Sequence, residues 1–128
     1  MSLPLKGIKV LDLSRLAAGN MVSHMLADYG ADVIKVEKPG MGDDLRNWKV
    51  KNISHWWHVY SRNKRSIALD FKNNMGMNVL KNLIKSSDVF IENFVPGTLE
   101  KWGLEPKKLH KINKNLIILR ISGWGQSG

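Results

Sequence analysis

Cysteine is absent from the 128 residues, so the chain can form neither a disulfide nor a thiolate metal centre. Long apolar runs are absent too. The longest, Leu116 to Leu119, falls far short of the ~20 residues that a membrane-spanning helix needs, so no membrane partner is expected. The opening Met1-Ser2-Leu3-Pro4-Leu5 has no basic stretch leading into an apolar one; a secretory signal is not expected, and the cytoplasm is the expected location. Acidic residues are scarce, 11 against 20 Lys and Arg, which leaves a net charge of +9. That excess invites a nucleic-acid reading. No basic run is interleaved with aromatics as a single-strand groove requires, however, and the lysines are spread along every segment among many asparagines. The pattern reads as a solvated surface, without a nucleic-acid partner. What is present in ordinary measure is apolar content, 43%, enough for one domain with its own core.

Apolar periodicity divides the chain into alternating strands and helices. Ile8 to Leu13 is a short β-branched run suited to a buried strand. Ala17-Ala18-Gly19 reads as a small-residue turn, Asn20 as the cap of a helix with an apolar face of Met21, Val22, Met25, Leu26 and Tyr29, and Gly30 as its left-handed stop. Ala31 to Glu37 is the next strand, and Met41 to Tyr60 a long loop holding three Trp residues. The theme then repeats: a strand over Ser66 to Phe71, a helix around Met75 to Ile84 capped by Asn73 or Asn74, and a strand from Asp88 to Asn93. Pro96 would stand in the first turn of a short helix with Leu99 and Trp102 inward; a helix over Pro106 to Ile112 and a strand over Asn115 to Ser122 follow. Such alternation predicts an α/β fold, a Rossmann-like parallel sheet with helices on both faces. Ligands of such sheets bind beyond the carboxyl ends of the strands, which sets the loops after Leu13, Glu37, Asn93 and Ser122 along one rim.

Several local patterns carry possible chemistry. Arg62, Lys64 and Arg65 crowd the start of the third strand, and guanidinium and ammonium groups there suit the phosphates of a nucleotide-like cofactor. Gly123-Trp124-Gly125-Gln126-Ser127-Gly128 matches G-x-G-x-x-G, but no helix follows and no acidic residue lies about 20 positions on; a mobile loop at the rim fits better than a dinucleotide site. His55-Trp56-Trp57-His58 sets two imidazoles three apart without a nearby carboxylate, so an aromatic cover is expected there and no metal. Gly42-Asp43-Asp44 reads as a turn and helix cap rather than an acid–base pair. His24 is expected on the polar side of the first helix, and His110 in a Lys-rich surface segment.

Taken in order, longer blocks resemble the amino-terminal part of the CaiB/BaiF (class III) coenzyme A-transferases. They are L-x-G-I-x-V-L-D from Leu5, the Ala18-Gly19 step, Met25 to Gly40 with its G-D-x-x-R extension to Arg46, Asn63 to Lys72, Asp88 to Phe94, Pro96 to Leu104 and Ile121 to Gly128. The resemblance covers nearly the whole chain, with related acyl-CoA racemases sharing much of it. It implies residues 1–128 as a coenzyme A-binding α/β part of a longer enzyme's large domain, with acyl-CoA and a carboxylic acid as substrates and a homodimer as the assembly. By position it implies that Leu16, Ala17 and Ala18 lie along the cofactor and that Lys38 approaches its phosphates. It further implies that Leu69, Asp70, Phe71 and Lys72 flank the adenosine part, that Asn93, Phe94 and Val95 line the channel, and that Lys101 makes a phosphate contact. Arg65, from the cationic cluster, is expected in a phosphate-binding role beside them. The family's Ala-Gly-Pro turn is Ala18-Gly19-Asn20 here. The family's chemistry runs through an aspartyl-CoA thioester, and no Asp of this chain matches the nucleophile's position, so the chain alone is expected to be inactive. A racemase-type enzyme and a non-catalytic assembly module are the alternatives.

Overall fold

A computed structural model describes residues 2–127. Five strands, β1 (Lys9–Asp12), β2 (Asp32–Glu37), β3 (Lys64–Ala68), β4 (Val89–Glu92) and β5 (Ile117–Arg120), form one sheet in the order β3-β2-β1-β4-β5, every pair parallel. The predicted parallel α/β architecture is what the chain adopts. Strand order reverses between β1 and β4, so their carboxyl ends flank the switch point at which such sheets leave a crevice.

Side chains alternate along each strand and divide the core in two. Leu11, Leu13, Val36 and Phe90 face a larger cluster closed by Leu80 and Ile84 of α3 (Asn74–Lys85), Leu99 of α4 (Thr98–Lys101) and Leu109 of α5 (Pro106–Ile112). Val10, Val33 and Ile91 face the opposite way, against Ala27 of α1 (Leu16–Asp28). Among the described residues no helix is long and apolar enough to cross a membrane.

Three local expectations need correction. Asn20 does not cap α1; it is buried inside the helix, with its amide bonded to the Leu16 carbonyl and at 2.9 Å to Asp43 Oδ2. The helix starts earlier because the Asp43 carboxylate accepts the Leu16 N–H at 3.1 Å, and Leu16 itself sits at φ 58°. The anticipated apolar face of α1 is split. Val22 and Leu26 pack, partly buried, against the cluster of Val10, Val33 and Ile91. Met21, Met25 and Tyr29 are about half exposed, while Gly19, Asn20, Ser23, His24 and Ala27 are buried. The sheet surface beneath that half of α1 carries Asp12 and Lys35, both buried, and small or hydrogen-bonding residues meet such a surface better than methionine does. At Gly19 an added Cβ would stand 2.0 Å from Ser14 Cβ, so only glycine allows the approach. His24 is accordingly buried, beside Tyr60, and not on a polar face.

The third strand begins at Lys64 and ends at Ala68, leaving Leu69 to Lys72 as a loop. The stretch Met41 to Tyr60 is partly ordered, holding a 3₁₀ turn (Asp44–Asn47) and α2 (His55–Tyr60). Pro96 precedes its helix, which starts at Thr98 after Gly97 at φ 87°. Asn73 caps α3 through the Gly76 N–H at 2.8 Å, and Gly30 stops α1 at φ 101°, both as expected.

Candidate functional site

Along the carboxyl rim runs a cleft of about 320 Å³. The loop after β1 contributes Leu13, Ser14 and Arg15; the loop after β2, Lys38, Pro39, Gly42 and Asp43. The loop after β3 adds Leu69, Asp70, Phe71 and Lys72, and the segment after β4 adds Phe94, Val95, Thr98 and Trp102. Its floor is aromatic: the Trp102 ring meets Phe71 and Phe94 edge-on, at centroid distances of 5.3 and 5.0 Å. Cationic groups stand at its margin in Lys38 and Lys72, both exposed. An apolar slot with a few convergent polar groups is the usual form of a small-ligand site.

Buried charges hold the walls. Glu37, at the end of β2, accepts two bonds from the Arg46 guanidinium at 2.7 and 2.8 Å and one from the Asp43 N–H at 2.8 Å, with Ser66 as a further donor. Burial works to raise its carboxyl, and these donors outweigh burial, holding it below the ordinary range. Arg46 also lies over the Trp57 ring, 3.9 Å from its centroid. Asp43 is likewise buried and likewise held low: desolvation is outweighed by Lys35, 3.1 Å away, and by the N–H groups of Leu45 and Leu16 and the Asn20 amide.

Beneath α1, Asp12 receives the Ser14 N–H at 2.8 Å and the Ser23 hydroxyl, with Lys35 at 3.6 Å and Lys64 at 3.5 Å. Lys35 in turn donates to the Ser14 carbonyl. Two carboxylates and two ammonium groups thus neutralise one another inside the domain and bind the β1 and β2 loops together. Burial pushes the Lys64 ammonium down to about 8, against the pull of Asp12.

The cleft gathers Lys38, Leu69, Asp70, Phe71, Lys72, Phe94 and Val95 from among the residues singled out in the sequence. Leu16, Ala17 and Ala18 open α1 immediately behind Arg15, outside the lining. Asn93 also lies outside it, bonded to the Arg15 backbone, and Lys101 is exposed at the end of α4. Arg65 is not brought in. It pairs with Ile34 in the sheet register and its guanidinium chelates Asp32 at 2.6 to 3.0 Å, four residues or about 13 Å of strand before the rim. Its neighbours are occupied as well: Arg62 bonds Asp28, and Lys64 is buried against Asp12. The cationic cluster at the start of β3 is therefore a set of structural ion pairs at the wrong end of a parallel strand. Sequence reading missed Arg15, Glu37, Asp43 and Trp102 as parts of this wall; the position of Arg15 three residues past the end of β1 was the available signal.

The other candidates resolve simply. Asp43 caps the 3₁₀ turn through the Leu45 N–H, as the Gly-Asp-Asp pattern suggested. His55 and His58 lie exposed on α2, and Trp56 packs beside Tyr60 at 5.9 Å. In the glycine-rich segment Ser122 Oγ donates to the Gly125 carbonyl at 2.7 Å and Trp124 is exposed; Gly128 lies outside the described residues.

Comparison with known proteins decides the family. Residues 5–128 match the model of CoA-transferase family III. The chain belongs to that family. It is 46% identical to succinyl-CoA–D-citramalate CoA-transferase of Chloroflexus aurantiacus over 98% of its length and 32% of that protein's. It is 44% identical to human succinyl-CoA:glutarate CoA-transferase over 98% of its length and 29% of that protein's. A crystal structure of a CAIB/BAIF family protein from Brucella suis superposes with a TM-score of 0.92 at 42% identity, covering all of this chain and 35% of that one. This family III chain thus spans about a third of the length of the relatives it matches.

Proposed function

We propose that residues 1–128 form the coenzyme A-binding amino-terminal part of an acyl-CoA:carboxylate CoA-transferase. The carrying observation is the cleft itself: in a family III chain, at the switch point of a parallel sheet, an aromatic slot edged by Lys38 and Lys72. Phe71, Phe94 and Trp102 suit the apolar and stacking portions of the cofactor, and the two ammonium groups suit its phosphates. By analogy with the similar transferases, the substrates are acyl-CoA donors and carboxylate acceptors of the succinyl and dicarboxylate kind. A cytoplasmic homodimer is the proposed working form.

In the proposed chemistry a carboxylate attacks the thioester carbonyl and expels the coenzyme A thiolate, leaving a mixed anhydride. The thiolate then attacks the enzyme's acyl carbonyl, releasing the donor acid and leaving an enzyme thioester that the acceptor carboxylate opens in the same way. Glu37 and Asp43 are poor nucleophiles, being buried acceptors of several hydrogen bonds. The family resemblance supplies the attacking group, an aspartate that no Asp of this chain matches, and the reading has the cleft residues bind and orient the cofactor.

Calorimetric titration with coenzyme A tests the assignment. Saturable binding that weakens several-fold in Lys38→Ala and Lys72→Ala, with Arg65→Ala unchanged, is expected. An absence of binding by the unaltered chain overturns it.

A further inference from the structure

The arginines of this fold are nearly all engaged by carboxylates. Arg46 bonds Glu37, Arg62 bonds Asp28, Arg65 bonds Asp32, and Arg120 bonds both Glu92 and Glu100, each at 2.6 to 2.8 Å at its shortest. Arg15 differs. Its Nη1 stands 4.0 Å from Asp44 Oδ2, outside hydrogen-bond range, and among the described residues its guanidinium donates to no side chain. The group lies over the Phe94 ring, 5.6 Å from the centroid, in the wall of the cleft.

The backbone that carries it is held from several sides. Asn93 Oδ1 accepts the Arg15 N–H at 2.7 Å, and Asn93 Nδ2 donates to the Arg15 carbonyl at 2.8 Å. The next residue, Leu16, is kept in the left-handed region, uncommon for a side chain of its size, by Asp43 on its N–H and Asn20 on its carbonyl. Strained backbone persists where its surroundings over-determine it. Here the result is a fixed root for a guanidinium whose N–H edge makes no hydrogen bond among the described residues, with Asp44 at 4.0 Å its nearest anion, and whose face is occupied by Phe94.

We propose that Arg15 is the anion-recognition residue of the cleft, taking a two-oxygen anion of the bound acyl-CoA edge-on through its fork. The anion is either a phosphate of the cofactor or a free carboxylate on the acyl group. This rests on the coenzyme A reading above and adds to it a division of labour: Lys38 and Lys72 supply mobile point charges, Arg15 a planar and pre-oriented pair of donors.

The test follows the Arg15 Nε–H resonance, assigned by its loss in Arg15→Lys, during titration of the whole chain with inorganic pyrophosphate, coenzyme A and succinyl-CoA. The Arg15 signal should shift on saturation while those of Arg46 and Arg120 stay in place. Arg15→Lys, which keeps the charge and loses the fork, should bind about tenfold more weakly with an unchanged denaturation midpoint. An equal loss for coenzyme A and succinyl-CoA assigns the anion to a phosphate; a loss confined to succinyl-CoA assigns it to the acyl carboxylate. An Arg15 signal that none of the three ligands moves overturns the proposal, even when coenzyme A binds. An Arg15 response to pyrophosphate from a chain that does not bind coenzyme A upholds Arg15 as the anion-recognition residue and overturns the acyl-CoA as its ligand together with the cofactor reading.

Discussion

The Asn93 side chain closes a two-bond ring on the backbone of Arg15, 78 positions away: Oδ1 takes the N–H at 2.7 Å and Nδ2 gives to the carbonyl at 2.8 Å. β1 and β4 are neighbours whose following loops diverge at the switch point, and this ring ties them across the crevice. Asn93→Ala leaves a part-buried donor and acceptor without partners and should cost about 1–2 kcal/mol of stability. Asn93→Asp, which sets a carboxylate against the Arg15 carbonyl, should cost at least as much, and both should weaken coenzyme A binding. Urea denaturation beside calorimetry checks this; an unchanged midpoint in both variants would show that the ring does not matter.

Gly76 lies in the first turn of α3, and a Cβ there would stand 1.9 Å from the Asp70 carbonyl oxygen and 3.2 Å from Phe71 Cα. Alanine normally gains up to ~1 kcal/mol over glycine inside a helix. Here the obstacle is backbone, so the Asp70–Phe71 wall of the cleft must move, and Gly76→Ala should lose about 2 kcal/mol and several-fold in cofactor affinity. Met75→Ala, at a neighbouring residue that is 82% exposed, serves as the control and should change neither. Equal thermal midpoints for the two variants would refute the close-approach argument.

Lys64 gives the fold a pH dependence on the alkaline side. Its folded value, about 8, lies below its ordinary 10.5 because burial opposes the charge. Between those values the unfolded chain holds a proton that the folded chain has released, so stability rises with pH across this window. The penalty is about 3 kcal/mol, fully felt below pH ~8 and relieved by pH ~10.5. Urea midpoints from pH 7 to 10.5 should climb in the unaltered chain, and Lys64→Met should show a smaller climb. Parallel profiles for the two would sink the assignment.

The succession of strands and helices was legible because each element writes its own period: β-branched runs for β1 and β2, helical spacing from Met75 to Ile84, and Gly30 and Asn73 as stop and cap. Reading failed where a local pattern met a surface it could not foresee. Met21, Val22, Met25, Leu26 and Tyr29 make a fair apolar stripe, yet only Val22 and Leu26 pack on the core, and Met21, Met25 and Tyr29 turn outward because Asp12 and Lys35 occupy the sheet beneath. Much of the cleft was foreshadowed too: the strand ends pointed to the loops after Leu13, Glu37 and Asn93, and the family resemblance to Lys38, Leu69 to Lys72, Phe94 and Val95.

The Arg62 to Arg65 cluster shows the boundary. By itself the sequence determined the parallel α/β order, the rim on which a ligand would lie and the family to which the chain belongs. It could not say which cations are free. Arg65 and Asp32 are 33 positions apart, Arg62 and Asp28 are 34 apart, and only the pairing of β2 with β3 and the packing of α1 bring them together. The tertiary structure decided that these charges neutralise their own neighbours while Arg15 keeps an open guanidinium in the cleft. The reason is physical: a charge's availability depends on the partners within a few ångströms, and in a folded chain most of those come from distant sequence.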